Sequence, residues 1–259
     1  MIKCRNDDRR SRYPIVLISG WSMPVGIMKT LGKALDVDHR YVSIVQLPGL
    51  VNELKADRKS YDWDVLLEYL GQQLFERPAI LVGWSLGGML ATLYASHHPS
   101  QVAGVVNLAA NACFVQKPDW PEAMPVELFA RFSEGLTKSM HKILRQFSLL
   151  CASGSPKRKA HISQFQKLVG EAELDQIALK ELLALLGNSD VRSALANLHC
   201  PISHLFGKDD GLVPVSAAES IEQCYPQHHV QVLNGGHNFF MDDPDTVVRE
   251  VNQLCLRIQ

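Results

Sequence analysis

Short aliphatic, β-branched runs recur along this chain, each closed by turn residues, and helix-patterned sequence fills the intervals; this alternation limits the fold more than any other feature. Pro14-Ile-Val-Leu-Ile18 ends at Ser19-Gly20, Tyr41-Val-Ser-Ile-Val45 runs into Leu47-Pro48-Gly49, and Ala79-Ile-Leu-Val82 stops at Gly83. Runs without a polar alternation suit strands covered on both faces, as in a parallel sheet. Between the second and third runs, Ser60 is expected to cap a helix. Asp62 and Asp64 would lie in its first turn, with Leu66, Leu67, Tyr69, Leu70 and Leu74 at helical spacing. The alternation resumes at 102–108 and returns at 202–206 and 229–233. From Pro244 to Ile258, Val247, Val248, Val251, Leu254 and Ile258 share one face of a final helix. Alternating strands and helices predict an α/β fold, a mostly parallel sheet flanked by helices.

Residues 113–190 break the pattern. They hold helix-forming stretches at 126–132 and 174–186, separated by Gly154-Ser-Pro156 and Gly187-Asn188, and few strand signals. They are expected to form a helical cap inserted into a core made of residues 1–112 and 191–259. A chain of 259 residues can bury one sizeable core of this kind. With 46% hydrophobic and 20% charged residues it is not a disordered chain, and a net charge of −1 denies it the overall basic footprint of a nucleic-acid binder. No apolar stretch approaches the roughly 18 residues of a membrane span, and the first residues lack the charged-then-apolar order of a signal peptide. A cytoplasmic protein with no membrane partner is expected, and nothing in the pattern asks for more than a monomer. The six cysteines are scattered without a C-x-x-C pair, against a zinc site or a disulfide framework.

The chemistry is concentrated at Gly83-Trp84-Ser85-Leu86-Gly87-Gly88, which follows the third strand run and precedes a good helix sequence. In a G-x-S-x-G turn from strand to helix the serine is lifted into a cleft, and small flanking residues permit close backbone approach. The helix beginning there aims its first amides at the site. A serine hydroxyl needs a histidine base held by a third group. Two later strand ends supply both: Asp210 in Gly207-Lys-Asp-Asp210-Gly-Leu-Val213-Pro214, and His237 in Asn234-Gly-Gly-His237-Asn-Phe. The order Ser85, Asp210, His237 suits a catalytic triad in an α/β-hydrolase fold, with the backbone N–H groups of Leu86 and Trp21 as the oxyanion hole. Asp209 competes with Asp210 and is read as solvated. The pairs His97-His98 and His228-His229 are read as surface residues, since neighbours point in different directions. Cys113 reads as a packed thiol. No metal or cofactor is called for.

These motifs place the chain by resemblance in the α/β-hydrolase superfamily, and more narrowly it resembles the pimeloyl-acyl carrier protein methyl ester esterases of biotin synthesis. The resemblance runs from Ile15 to the C-terminus. It is carried by Ser19-Gly-Trp21, Leu47-Pro-Gly49, Gly83 through Gly88, Ala112-Cys-Phe114 with Trp120, Gly207 through Pro214, and Gly236-His237. It implies hydrolysis of the methyl ester on a pimeloyl chain borne by acyl carrier protein, with water as second substrate and no cofactor. Substrate contacts would fall on Trp21, Ser85, Leu86, Phe147 and His237. Two departures stand out: Ser19 where the family usually has histidine, which bears on support of the oxyanion loop, and Leu50-Val-Asn-Glu53 after Leu-Pro-Gly.

Independently of resemblance, the stretch from Lys138 to Lys167 holds Lys138, Lys142, Arg145, Lys157, Arg158, Lys159 and Lys167 and no Asp or Glu. A patch of one sign beside a cleft steers an oppositely charged partner, and acyl carrier proteins are acidic. A solvated helical face is the plainer reading of the same residues. Two other functions stay open: an esterase or lipase-like hydrolase of small free esters, and a non-catalytic ligand-binding protein on the same fold.

Overall fold

The aliphatic runs become six strands, β1 Ile15–Ile18, β2 Val42–Val45, β3 Ala79–Trp84, β4 Val102–Leu108, β5 Ile202–Gly207 and β6 His229–Leu233, in a computed structural model that describes residues 13–36, 41–50 and 60–258. They form one sheet in the order β2-β1-β3-β4-β5-β6, every pairing parallel, with Ile15 opposite Ile80 and Gly83 opposite Asn107. The chain first moves outward from β1 to β2, then crosses back to β3 on the other side of β1. That reversal leaves a crevice beyond the carboxyl ends of β1 and β3, where open α/β sheets bind ligands.

Parallel neighbours need crossovers, and these are the helices. Before β4 come α1 Lys29–Leu35, α2 Trp63–Gln73 and α3 Leu86–His97; after β5 come α9 Ser216–Cys224, α10 Phe239–Asp242 and α11 Pro244–Arg257. Between β4 and β5 the chain inserts α4 Val126–Lys138, α5 Met140–Cys151, α6 Arg158–Gly170, α7 Gln176–Asn188 and the short α8 Arg192–Ala196. The stretch expected as 126–132 continues to Lys138, and α5 and α6 were not marked individually by their sequence.

β1, β3, β4 and β5 are buried along their whole length, so an uninterrupted apolar run suits them; the edge strands β2 and β6 are partly open. α3 lies in the same core and buries Leu86, Met89, Leu90, Ala91, Tyr94 and Ala95. α11 begins with Pro244 behind Asp243, whose carboxylate accepts from the Thr246 amide at 3.1 Å, and it buries Val247, Val251 and Leu254. Burying each such side chain contributes about 1.5–3 kcal/mol.

Two local readings are corrected. Asp62, not Ser60, caps α2: its carboxylate accepts from the Val65 amide at 3.0 Å and adds negative charge at the helix N-terminus. His228 is not a surface residue. It stacks on Tyr225 and sets its Nδ1 3.2 Å from Nε2 of His204, itself wholly inside β5. Burial pushes the His204 pKa down to about 3 and that of His228 to about 4. His97 and His229 are exposed. Residues 51–53 of the Leu50–Glu53 departure lie outside the described residues, and among the described residues no helix is long and apolar enough to cross a membrane.

Candidate active site

Ser85 stands between β3 and α3 at φ 56° and ψ −119°, a left-handed backbone that a non-glycine residue adopts at a cost of about 1–3 kcal/mol. The surroundings hold it there. Its amide donates to the Leu108 carbonyl at 2.9 Å, and the turn is so tight that a Cβ on Gly83 would lie 2.3 Å from the Gly87 carbonyl oxygen. A Cβ on Gly87 would lie 2.5 Å from the carbonyl oxygens of Ile18 and Ser19. Glycine at both flanks therefore lets the start of α3 press directly onto the end of β1.

Asp210 and His237 lie together in the loops after β5 and β6. His237 Nδ1 is 2.7 Å from Asp210 Oδ2, with the His237 ring wholly buried and the Asp210 side chain 1% exposed. The other Asp210 oxygen accepts from the amides of Leu212 and Val213 at 2.8 and 3.0 Å, so the carboxylate is aimed before anything binds. Asp209, its competitor, is exposed. With Nδ1 engaged, Nε2 of His237 is buried and makes no hydrogen bond, to Ser85 or to any other described residue.

Trp84 joins this pair to the serine. Its indole N–H donates to the His237 carbonyl at 2.9 Å, and the two rings lie 5.6 Å apart. The residue before the serine thus grips the backbone of the histidine, a job that its sequence position did not announce.

The Leu86 amide opens α3 and the Trp21 amide follows Gly20, whose Cβ, were it present, would touch Ser85 Cβ at 3.3 Å. Among the described residues neither amide is taken by a backbone carbonyl. The loop carrying Trp21 is held by Gln46, whose side chain accepts from the Val25 amide at 2.7 Å and donates to the Met23 carbonyl at 3.0 Å. Ser19, in place of the usual histidine, is buried and accepts from the Leu47 amide at 3.4 Å. The sequence reading did not single out Gln46; a polar residue between β2 and Leu47-Pro-Gly was its available signal.

Trp21 carries the insertion's contact with the site. Its indole N–H donates to the Leu179 carbonyl of α7 at 2.9 Å, and its ring meets Phe147 of α5 edge-on at 5.0 Å and Phe132 of α4 at 5.8 Å. The three aromatics pack against one another at the loop that follows β1. Cys113 is buried and its thiol pKa is pushed up to about 12, chiefly by desolvation, so it is a packed thiol rather than a nucleophile. Among the described residues no group of three or more His, Cys, Asp or Glu is placed to hold a metal ion.

The basic residues do not form one uninterrupted set. Lys138 pairs with Glu134 at 3.6 Å and Lys167 with Glu171 at 4.0 Å, both across one helical turn from just outside the acid-free stretch. Lys142, Arg145, Lys157, Arg158 and Lys159 make no ion pair with a described residue.

A sequence model of the Alpha/beta hydrolase family matches residues 15–250. The chain belongs to that family. A pimeloyl-acyl-carrier protein methyl ester esterase from Aliivibrio fischeri is 30% identical over 239 residues, covering 92% of this chain and 91% of that protein. The biotin biosynthesis bifunctional protein BioHC of Cellvibrio japonicus is 34% identical over 94% of this chain but only 48% of its own length; the chain spans about half the length of the bifunctional relatives it matches. In three dimensions it is similar to an esterase from Exiguobacterium antarcticum, with a TM-score of 0.82, 21% identity and coverage of 94% and 92% of the two chains, a likeness of fold.

Proposed function

We propose that the chain is a serine carboxylesterase that hydrolyses the methyl ester of a pimeloyl chain carried on acyl carrier protein, in biotin precursor synthesis. The observation that carries the reading is the contact of His237 Nδ1 with a doubly braced Asp210, tied through the Trp84 indole to the turn that holds Ser85 at positive φ. The full-length match to an esterase named for this substrate supplies the substrate class.

Ser85 Oγ attacks the ester carbonyl carbon while its proton passes to His237 Nε2. Asp210 keeps the imidazole in the needed tautomer and stabilises the imidazolium. The amides of Trp21 and Leu86 receive the oxyanion, aided by the N-terminal field of α3. Collapse breaks the carbon–methoxy bond, and methoxide leaves as methanol with the proton from His237. Water, deprotonated by the same histidine, then attacks the acyl-serine and releases the free carboxylate and Ser85. The chain's own groups supply every proton transfer, and the reading calls for no cofactor.

Helices α4 to α7 act as a cap in this reading, within the limits 113–190. The wall of Trp21, Phe147 and Phe132 offers an acyl chain apolar contact. Phe132 also lines an open groove of about 410 Å³ with Leu128, Arg131, Gln146, Leu149 and Leu150, continuing that wall toward the surface. The cations of α5 and α6, Lys142, Arg145, Lys157, Arg158 and Lys159, face an acidic carrier, with Lys138 partly offset by Glu134.

Replacing Ser85 with Ala tests the chemistry: hydrolysis of a short p-nitrophenyl ester and labelling by a fluorophosphonate probe are expected to vanish with the thermal transition intact. Retained turnover would exclude the mechanism. Restored growth of a biotin-requiring bacterial strain lacking its own esterase tests the substrate.

A further inference from the structure

The residue after the candidate base is held from the insertion. Asn238 is fully buried, and its Nδ2 donates to Nδ1 of His161, 2.7 Å away near the start of α6. Ser155 Oγ stands 3.0 Å from the same ring nitrogen and accepts from the Lys157 amide. Nε2 of His161 faces Oδ1 of Asp242, on α10, at 3.7 Å, with both side chains less than a tenth exposed. With Nδ1 accepting, the ring proton sits on Nε2, on the side of the carboxylate but beyond hydrogen-bond distance of it. Burial and Lys157 favour that neutral ring, and Asp242 opposes them.

The turn that precedes α6 is wedged between the two loops of the triad. A Cβ on Gly236 would fall 1.6 Å from the Ser153 carbonyl oxygen, and one on Gly154, at φ 78°, would fall 2.4 Å from Asp209 Cβ. The backbone around His237 therefore has two anchors. Trp84 grips its carbonyl from the core, and Asn238, through His161, ties the next residue to the insertion. A buried amide that loses its acceptor must shift to find another, and any shift of residue 238 is passed to residue 237.

We propose that His161 and Asn238 are positioning residues for His237: the seating of α6 on the core, read through their hydrogen bond, sets the alignment of the base with Ser85. The proposal rests on the hydrolase reading above and adds a dependence of chemistry on the insertion that a small ester would also feel.

The test uses the full chain and p-nitrophenyl butyrate, whose hydrolysis needs no carrier. His161→Ala and Asn238→Ala are each expected to lower kcat about tenfold with KM within about twofold, as for a misaligned base rather than a lost substrate contact. The double variant is expected to be no worse than either single one, because both break the same link. His161→Gln keeps an acceptor for Asn238 and is expected to recover kcat to within about threefold of the parent. Phe165→Leu, a buried apolar change one turn along the same helix that leaves both hydrogen-bonding groups in place, is the stability control and is expected to lower Tm with kcat preserved. The proposal is overturned if kcat in the Ala variants follows Tm as it does in Phe165→Leu, or if Gln does not restore it. Should His161→Ala fail to fold, an unchanged kcat in Asn238→Ala is sufficient to overturn it. Turnover surviving in Ser85→Ala, assayed alongside, would mark failure of the hydrolase reading instead.

Discussion

β3 buries all six of its residues, whereas α4 buries one of thirteen. Both reach toward the candidate site, β3 by leading into Ser85 and α4 by the contact of Phe132 with Trp21. In the sheet, backbone crowds backbone, and the site's geometry follows from what cannot fit: Gly83 and Gly87 admit no side chain, and Ser85 is left with one conformation. In the insertion, amphipathic helices lay a narrow apolar stripe on the core and leave their outer faces to charge. Under the proposed function, the contrast puts chemistry where the chain has least freedom and substrate recognition where it has most. Changes in the core should then act on every substrate alike, and changes on the insertion's surface on some substrates only.

The largest effect expected is in the core. Asp210→Asn should lower kcat on a p-nitrophenyl ester by about 10⁴-fold with the fold retained, because the amide favours the wrong imidazole tautomer. A loss under about tenfold would remove Asp210 from the triad.

The sheet also carries an acid-sensitive pair. His204 and His228 stay neutral in the fold down to about pH 3 and 4, while in the unfolded chain they take up protons below about 6.5. The unfolded state thus binds more protons throughout that window, so stability is full above pH 6.5 and is lost as pH falls toward 4 and below. Thermal unfolding between pH 8 and 4 should show a level Tm giving way to a decline below 6.5. A level Tm across the whole range would contradict the burial of these rings.

On the insertion's surface, Lys142, Arg145 and Lys159 changed together to Glu should lower kcat/KM for a carrier-bound ester about tenfold at low salt and leave p-nitrophenyl butyrate within about twofold. Equal losses on both substrates would erase the proposed division between regions. The smallest effect is expected at Gly170, the last residue of α6, where an added Cβ meets nothing within 4 Å. Gly170→Ala should stabilise the protein by about 0.4–1 kcal/mol, read as a rise in Tm without a change in kcat.

Much of this was legible in the chain because the signals were local. Six aliphatic runs marked six strands, and the serine turn announced itself by glycine spacing between a strand and a helix. The meeting of Asp210 with His237 followed from strand ends read in order. Other features failed for equally physical reasons. Ser60 and Asp62 are both good caps, and only the path of the chain into α2 selects Asp62. The basic stretch is free of acid, but the pairing of its two end lysines was not visible, because Glu134 and Glu171 lie one helical turn beyond its ends. His228 read as a surface residue because adjacent histidines point in different directions and make no metal pair, whereas its burial depends on His204 and Tyr225. Asn238 and His161 were invisible as a pair, since nothing in either neighbourhood points to the other across the gap between α6 and the loop after β6.

Periodicity and turn chemistry, which act within a few residues, were enough to specify a parallel α/β sheet, the serine turn between β3 and α3, and the strand ends that carry Asp210 and His237. Which buried groups meet across the insertion, as His161 meets Asn238, was decided by tertiary packing: a hydrogen bond between remote segments depends on where two backbones come to rest, and no local pattern encodes that distance.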